Sequence, residues 1–367
     1  MIYDKRLGTF ECIATIGAMT IIPLILTLPT LATNYFGTAS FLHAVYSSII
    51  AGIAFFVLVR LYKRFSSKDI LDVTEFSLGK FFKYFTGLLI IIYLLAATTI
   101  TISEFNENAR IILFTETPSL YVSILFLIAV FVGSVIGLQG IFRASAIVTP
   151  FMIVGFIAMF FSLVPNIDLT NLTPIFGNGL KEVFVNGTFK ISAYESLALI
   201  FLIAPNLKHF EKTAKGSFLM IAFFILTAFF LIFSIFSYPV LKDNYLPFYE
   251  LTKLISYGRF IQRVESIFII LWLIATFIYL SVGISFAVLV FNKLFDVKKS
   301  NWTIFFACLI VLILSRFLTS YIDILKIREL VSIYISPILL VAYPLVILII
   351  GNIKLKNYKH KEKKYAH

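Results

Sequence analysis

The sequence predicts an all-α polytopic membrane protein with about ten transmembrane helices. Three observations carry that expectation. Of 367 residues, 60% are hydrophobic and only 14% are charged, whereas a soluble domain carries about 25% charged residues. Apolar runs close to the ~20 residues needed to cross a ~30 Å hydrocarbon core recur from end to end. These runs are continuous rather than alternating, which suits helices and excludes the strands of a membrane barrel. Ten spans of roughly 22 residues absorb about the whole apolar fraction. What remains is short loops within a single integral membrane domain over residues 1–367.

The first span is expected at 10–32. It follows Lys5 and Arg6, but it is span-length and lacks a small-residue cleavage site, so it reads as a helix rather than a cleavable signal. The second, 38–60, ends at Arg60 before Lys63 and Arg64, and the third, 80–103, opens at Lys80 and Lys83. The fourth (118–138) and fifth (144–164) flank Arg143. A stretch at 165–188 follows, with Pro165, Pro174, Gly177, Gly179 and Gly187, which argue for turns rather than a folded domain. The sixth span, 189–206, precedes the basic loop Lys208–Lys215, and the seventh is 217–239. The loop at 240–262 carries Pro247, Tyr249 and Tyr257, aromatics suited to the headgroup level. Spans at 264–291, 302–320 and 330–351 complete the set before a basic tail at 352–367.

Charge sets the orientation. With the N-terminus inside, 21 of the 31 Lys and Arg gather on the inner side, as the positive-inside rule requires. An even number of spans then leaves both termini cytoplasmic. The net charge of +12 therefore points to anionic lipid, against which the run Lys354 to Lys364 rests, and not to nucleic acid. Cys12 and Cys308 lie in or beside apolar helices and read as small core residues. No Walker sequence, zinc spacing or Gly-x-Ser-x-Gly is present. His43, His209, His360 and His367 are scattered. Neither an enzyme nor a metal or other cofactor is expected.

Two spans break helix rules. The first contains Gly17, Pro23 and Pro29; the sixth contains Ser192, Ala193, Tyr194 and Glu195 and ends at Pro205. An internal proline removes a backbone bond, and in lipid the freed groups need protein or a water-filled cavity. Spans one and six are five apart and run in opposite directions, as a five-plus-five inverted repeat requires (about 10–164 and 189–351). Interrupted helices at matching places mark a midplane site; ordinary kinks are the other reading.

The run Ile16-Gly17-Ala18-Met19 resembles the unwound first helix of the amino acid–polyamine–organocation (APC) transporter superfamily, and Ser192-Ala193-Tyr194-Glu195 resembles its broken sixth helix. More specifically, Gly258-Arg259-Phe260-Ile261-Gln262-Arg263-Val264-Glu265-Ser266-Ile267-Phe268, leading into Trp272, resembles the signature of the B-subunit (GerAB) family of spore germinant receptors. Glu195 to Pro205 with its following basic loop, the chain length, the span count and the short basic tail are similar too. The resemblance implies a LeuT-like fold and a subunit of the spore inner membrane. It implies partner A and C subunits, and a transporter-like midplane pocket that senses a small nutrient, an amino acid by expectation, and triggers germination. A proton-coupled amino-acid transporter is the alternative use of the same pocket.

Candidate ligand-binding residues follow. Unwinding at Gly17, Ala18, Met19 and Thr20 would present N–H groups to a carboxylate, while carbonyls freed near Ser192, Ala193 and Tyr194 would receive an ammonium. Ala18 and Ala193 are small enough for close approach. The third and eighth spans, which wall the site in the resembled fold, offer Tyr93, Thr98 and Thr99, and Trp272, Thr276 and Tyr279. Thr98 and Thr99 either serve the site or satisfy their own helix carbonyls; Tyr93 and Tyr279 are site or core aromatics. Glu195, a carboxylate deep in an apolar span, is the most informative residue: a ligand contact, a titrating group or a buried structural acid. Glu104, Arg316 and Asp323 read as interfacial. Arg263 and Glu265, at i and i+2, do not face each other.

Overall fold

The chain is described by a computed structural model covering residues 7–365 apart from 114–115, 191, 245, 256–264, 299 and 319, with side chains up to 357 except at 189. Lys5, Arg6, Tyr257, the stretch 258–264 with Arg263, Lys299 and His367 lie outside the described residues, as do the side chains of His360 and of the tail lysines beyond 357.

The first expected span is two helices, α1 (Thr9–Leu26) and α2 (Leu28–Phe36), meeting at Thr27. Thr27 leaves helical geometry at φ −131° and ψ −23°. The break is therefore not at Gly17–Thr20, where unwinding was expected. Gly17 continues the helix because it is a packing residue: a Cβ there would collide with the Met220 side chain. Pro23 sits within α1, and Pro29 occupies the first turn of α2, where the missing N–H costs nothing.

The second and third spans are α3 (Ser40–Tyr62) and α5 (Lys80–Ile112), joined by a short helix, α4 (Ile70–Leu78). Asp69 caps α4 by accepting from the Leu71 and Asp72 amides, and it also pairs with Lys293. Lys293 reaches Asp72 at 2.7 Å, and Lys83 reaches Glu75 at 2.6 Å. α6 (Ser119–Ile136) and α7 (Leu138–Leu163) complete the first half. The turn-rich stretch after them carries one short helix, α8 (Leu180–Phe184).

The sixth span is broken as its sequence predicts. A 3₁₀ segment at Ser192–Ala198 gives way to α9 (Leu199–Ile203), then to a 3₁₀ turn around Pro205. α10 (Phe210–Ile235) is the seventh span, and α11 (Tyr238–Lys242) and α12 (Pro247–Lys253) fill the following loop. α13 (Glu265–Leu294) and α14 (Asn301–Ser315) are the eighth and ninth. The tenth runs from α15 (Tyr321–Leu330) through π-helical turns at Val331–Ile335 and Ile338–Ala342 into α16 (Tyr343–Tyr365). Among the described residues nine helices are long and apolar enough to cross a membrane, and α14 is a shorter apolar helix.

Burial orders these helices. α1 is 78% buried and packs against α10, α7 and α13. The windows of α6 and α7 are 33% and 28% buried, so their remaining apolar faces are available to lipid. Backbone hydrogen bonds join two segments at one end of the bundle: the Leu7 amide donates to the Asn206 carbonyl at 2.8 Å, and Lys208 donates back to Leu7 at 3.4 Å. That contact ties the entry to α1 to the exit from the broken sixth span.

Candidate functional site

A cavity with about 450 Å³ of space between atoms lies where α1, α5, α13 and the 3₁₀ segment converge. Of the candidates read from sequence, Met19, Thr20, Tyr93, Thr98, Ala193, Glu195 and Tyr279 line it. The local chemistry explains the convergence. Pro23 has no N–H to give to the Met19 carbonyl, and both residues border the space. Across the gap Thr20 meets Ser196, hydroxyl to hydroxyl, at 3.3 Å, joining α1 to the broken span. Gly283 permits the close approach of α13 to α5, since a Cβ there would collide with Thr98 Oγ1. Thr98 also donates to the Leu94 carbonyl at 2.7 Å, so it both borders the cavity and satisfies its own helix.

Glu195 is part-buried and surrounded by neutral donors. Tyr93 donates to its Oε2 at 2.6 Å, Ser336 to the same oxygen at 3.3 Å, and Tyr279 to Oε1 at 3.5 Å. Among the described residues no Lys or Arg lies within ion-pair distance of it. A carboxylate in an apolar span without a counter-charge is costly, and hydroxyl donors repay only part of that cost. The site is thus a single carboxylate held by hydroxyls, with its nearest guanidinium, Arg328, engaged by Glu104. It fits a proton or the ammonium group of a small ligand.

A second carboxylate lies nearby. Glu104 is completely buried, and Arg328 is 3% exposed. Arg328 Nε donates to Glu104 Oε1 at 2.8 Å and Nη2 to Oε2 at 2.7 Å, a bidentate pair; Nη2 also reaches Thr101 at 2.9 Å. Thr27, the residue at the α1–α2 break, donates to Glu104 Oε1 at 3.3 Å. The interfacial reading of Glu104 is thereby corrected: its charge is held inside by Arg328. The Tyr279 hydroxyl neighbours Thr101 and Arg328 as well as Glu195, placing one phenol between the two acids. Arg328 and Ser336 come from the same tenth span, on either side of a π-helical turn, a feature common at functional positions.

The other candidates stand apart. Gly17 faces Met220, and Ala18 is fully buried without bordering the cavity. With α1 helical at 17–20, the amides there are engaged in the helix and present no free N–H to a carboxylate. Tyr194 turns away, donating to Ser48 and stacking on Phe218. Thr99 donates to Leu95, and Thr276 to Trp272, in each case one turn back. Trp272 packs at 4.9 Å from the Phe105 ring, with 1% of its surface exposed. Ser192 borders a second cavity that shares Ala193 with the first. Thr27, Arg328 and Ser336 are not among the residues the sequence singles out, and Glu104 is singled out only as interfacial. A charge inside a span was the available signal, but Glu104 and Arg328 fall at span ends, and their partnership bridges 224 positions.

A bundle of apolar membrane helices, with broken first and sixth spans around an acidic cavity, defines a transporter-fold membrane protein of the LeuT type. The chain is similar in structure to a Na⁺-coupled sialic acid symporter in a substrate-bound outward-open state, with a TM-score of 0.63 and 12% identity over 90% of this chain and 79% of that one. It is also similar to Mhp1, a nucleobase-cation-symport-1 family transporter in a closed conformation, at TM-score 0.62 and 14% identity over 86% and 75%. At these identities the likeness is one of fold.

Within that class the chain belongs to the spore germination protein family, whose model matches residues 6–324. Curated relatives include spore germination protein XB of Bacillus anthracis, 26% identical over 56% of this chain, and spore germination protein A2 of Bacillus subtilis, 22% identical over 74%. The matches span 58% of the first relative's length and 76% of the second's.

Proposed function

We propose that this chain is the nutrient-sensing B subunit of a spore germinant receptor, working in the spore inner membrane beside A and C subunits with both termini cytoplasmic. It binds a small nutrient, an amino acid, in the cavity around Glu195. The observation that carries the reading is the Glu195 carboxylate, ringed by Tyr93, Tyr279 and Ser336 hydroxyls with no Lys or Arg at ion-pair distance among the described residues. An arriving ammonium supplies the missing charge, and the freed Met19 carbonyl with the Thr20 and Ser196 hydroxyls supplies further acceptors. Binding then shifts the population between cavity-open and cavity-closed states, by no more than the ligand's differential affinity for the two. No covalent step is involved.

The test is germination of spores carrying Glu195→Gln against a panel of amino acids, with the subunit's abundance followed by immunoblot. Loss or shift of response to an amino acid at normal abundance supports the reading. Unchanged germination across the panel refutes the Glu195 site.

A second reading has its own support. The fold is shared with symporters, and an uncompensated carboxylate suits a proton carrier. A proton-coupled transporter takes up labelled amino acid into proteoliposomes and stops when the proton gradient is collapsed; a sensor that does not transport accumulates none.

A further inference from the structure

The stretch between α7 and the broken sixth span presents an apolar surface of its own. In α8 and the residue after it, Leu180, Phe184 and Val185 are exposed, while Val183 turns inward and is fully buried. Tyr46 of α3 holds the segment in that attitude. Its hydroxyl donates to the Phe184 carbonyl at 2.9 Å and lies 2.8 Å from the Thr188 hydroxyl, and its ring meets the Phe184 ring edge-on at 5.0 Å. Tyr46 stands in the second turn of α3, about 9 Å along the helix from its first residue. Ile49 and Ile53 follow it at helical spacing and share its face. Both are exposed on a membrane span, so that face looks into lipid. α8 therefore lies across the start of a lipid-facing stripe, and its apolar side chains continue the stripe. The same segment also reaches inward. A Cβ on Gly187 would collide with the His43 ring, and His43 Nε2 lies 3.1 Å from the Gly187 carbonyl. The His43 ring in turn stacks at 3.7 Å on Phe36, the last residue of α2.

We propose that α8 is an interfacial foot whose partner is the lipid bilayer: Leu180, Phe184 and Val185 enter the boundary between headgroups and acyl chains beside α3. An amphipathic segment buries its apolar side about 5–10 Å into that boundary, which matches the level at which Tyr46 holds α8. Lys181, exposed on the same short helix, has the reach to return its ammonium to the headgroups. Through Gly187, His43 and Phe36 the bilayer at that level bears on α2, the part of the first span beyond its break. This contact is independent of what the Glu195 cavity binds.

The test is spin-label accessibility on the full chain in lipid nanodiscs, with the two buried cysteines replaced (Cys12→Ala and Cys308→Ala). Nitroxides are placed on Leu180→Cys and, separately, Val185→Cys. Ile53→Cys is the lipid reference, and Lys298→Cys, in an exposed loop, is the water reference. Labels at 180 and 185 are expected to collide with oxygen in preference to a water-soluble nickel chelate, as at 53 and opposite to 298. A preference for the chelate at both positions overturns the proposal. Labels shielded from both reagents overturn it too, since a protein surface would then cover α8. The bearing on α2 is read separately, as the distance distribution between labels on Asn34→Cys, exposed on α2, and Lys298→Cys. Leu180→Glu with Val185→Glu, which drives the foot out of the lipid, is expected to broaden or shift that distribution. His43→Ala, which cuts the link and leaves the foot inserted, is expected to do the same. An unchanged distribution in both variants overturns the connection to α2.

Discussion

Two carboxylates close together inside this bundle, one buried and one part-buried, have opposite surroundings. Glu104 is fully enclosed and gripped by both arms of the Arg328 fork, with Thr27 and Thr101 completing the group. Glu195 faces a cavity and receives only hydroxyls. The first has every charge answered within the protein and so belongs to the architecture: it fastens the tenth span to α5 and to the break in the first span. The second borders a cavity and has no Lys or Arg at ion-pair distance among the described residues, which is what the proposed ligand role requires. The difference teaches that a charge inside a membrane span gains its meaning from its partner, and not from its depth alone.

The contrast can be broken in graded steps. Arg328→Ala strands the Glu104 carboxylate in the interior and should cost about 3–5 kcal/mol of stability, read as a large fall in thermal midpoint in detergent or as loss of protein from membranes. Replacing both partners with methionine should recover much of that loss, because no buried charge is then left alone. Tyr93→Phe removes the shortest donor to Glu195 and should cost about 1.5–3 kcal/mol, the range for a hydrogen bond to a charged group. Thr27→Val removes a single 3.3 Å bond at the helix break, and a loss of about 0.5–1.5 kcal/mol is expected. If Thr27→Val proves as damaging as Arg328→Ala, the latch resides in the helix break and not in the ion pair.

Much of the fold is legible in the sequence, because hydropathy alone reports the spans and the lipid forbids most alternatives. Ser192–Ala193–Tyr194–Glu195 marks the broken sixth span for the same reason: polar residues and Pro205 interrupt an apolar run. The position of the first break is less legible. Gly17 looks like a place to unwind, yet its lack of a side chain serves packing against Met220, and the chain breaks at Thr27, between two prolines that each tolerate helix on one side. Side-chain direction is less legible still. Ala193 and Glu195 face the cavity while Tyr194 between them faces Ser48, as a tight 3₁₀ turn allows. Arg328 and Ser336 escape notice because each acquires its role only from a partner far away in sequence.

The central claim is that Glu195 serves the ligand and Glu104 serves the structure. Thermal unfolding of the purified chain, wild type and Glu195→Gln, with and without each amino acid of the germination panel, tests it most directly. The account predicts a wild-type midpoint that rises with a responsive amino acid, and a Glu195→Gln protein within about 1 kcal/mol of wild-type stability whose midpoint no longer responds. A Glu195→Gln protein that melts far below wild type, or whose midpoint still rises with the same amino acid, would contradict it.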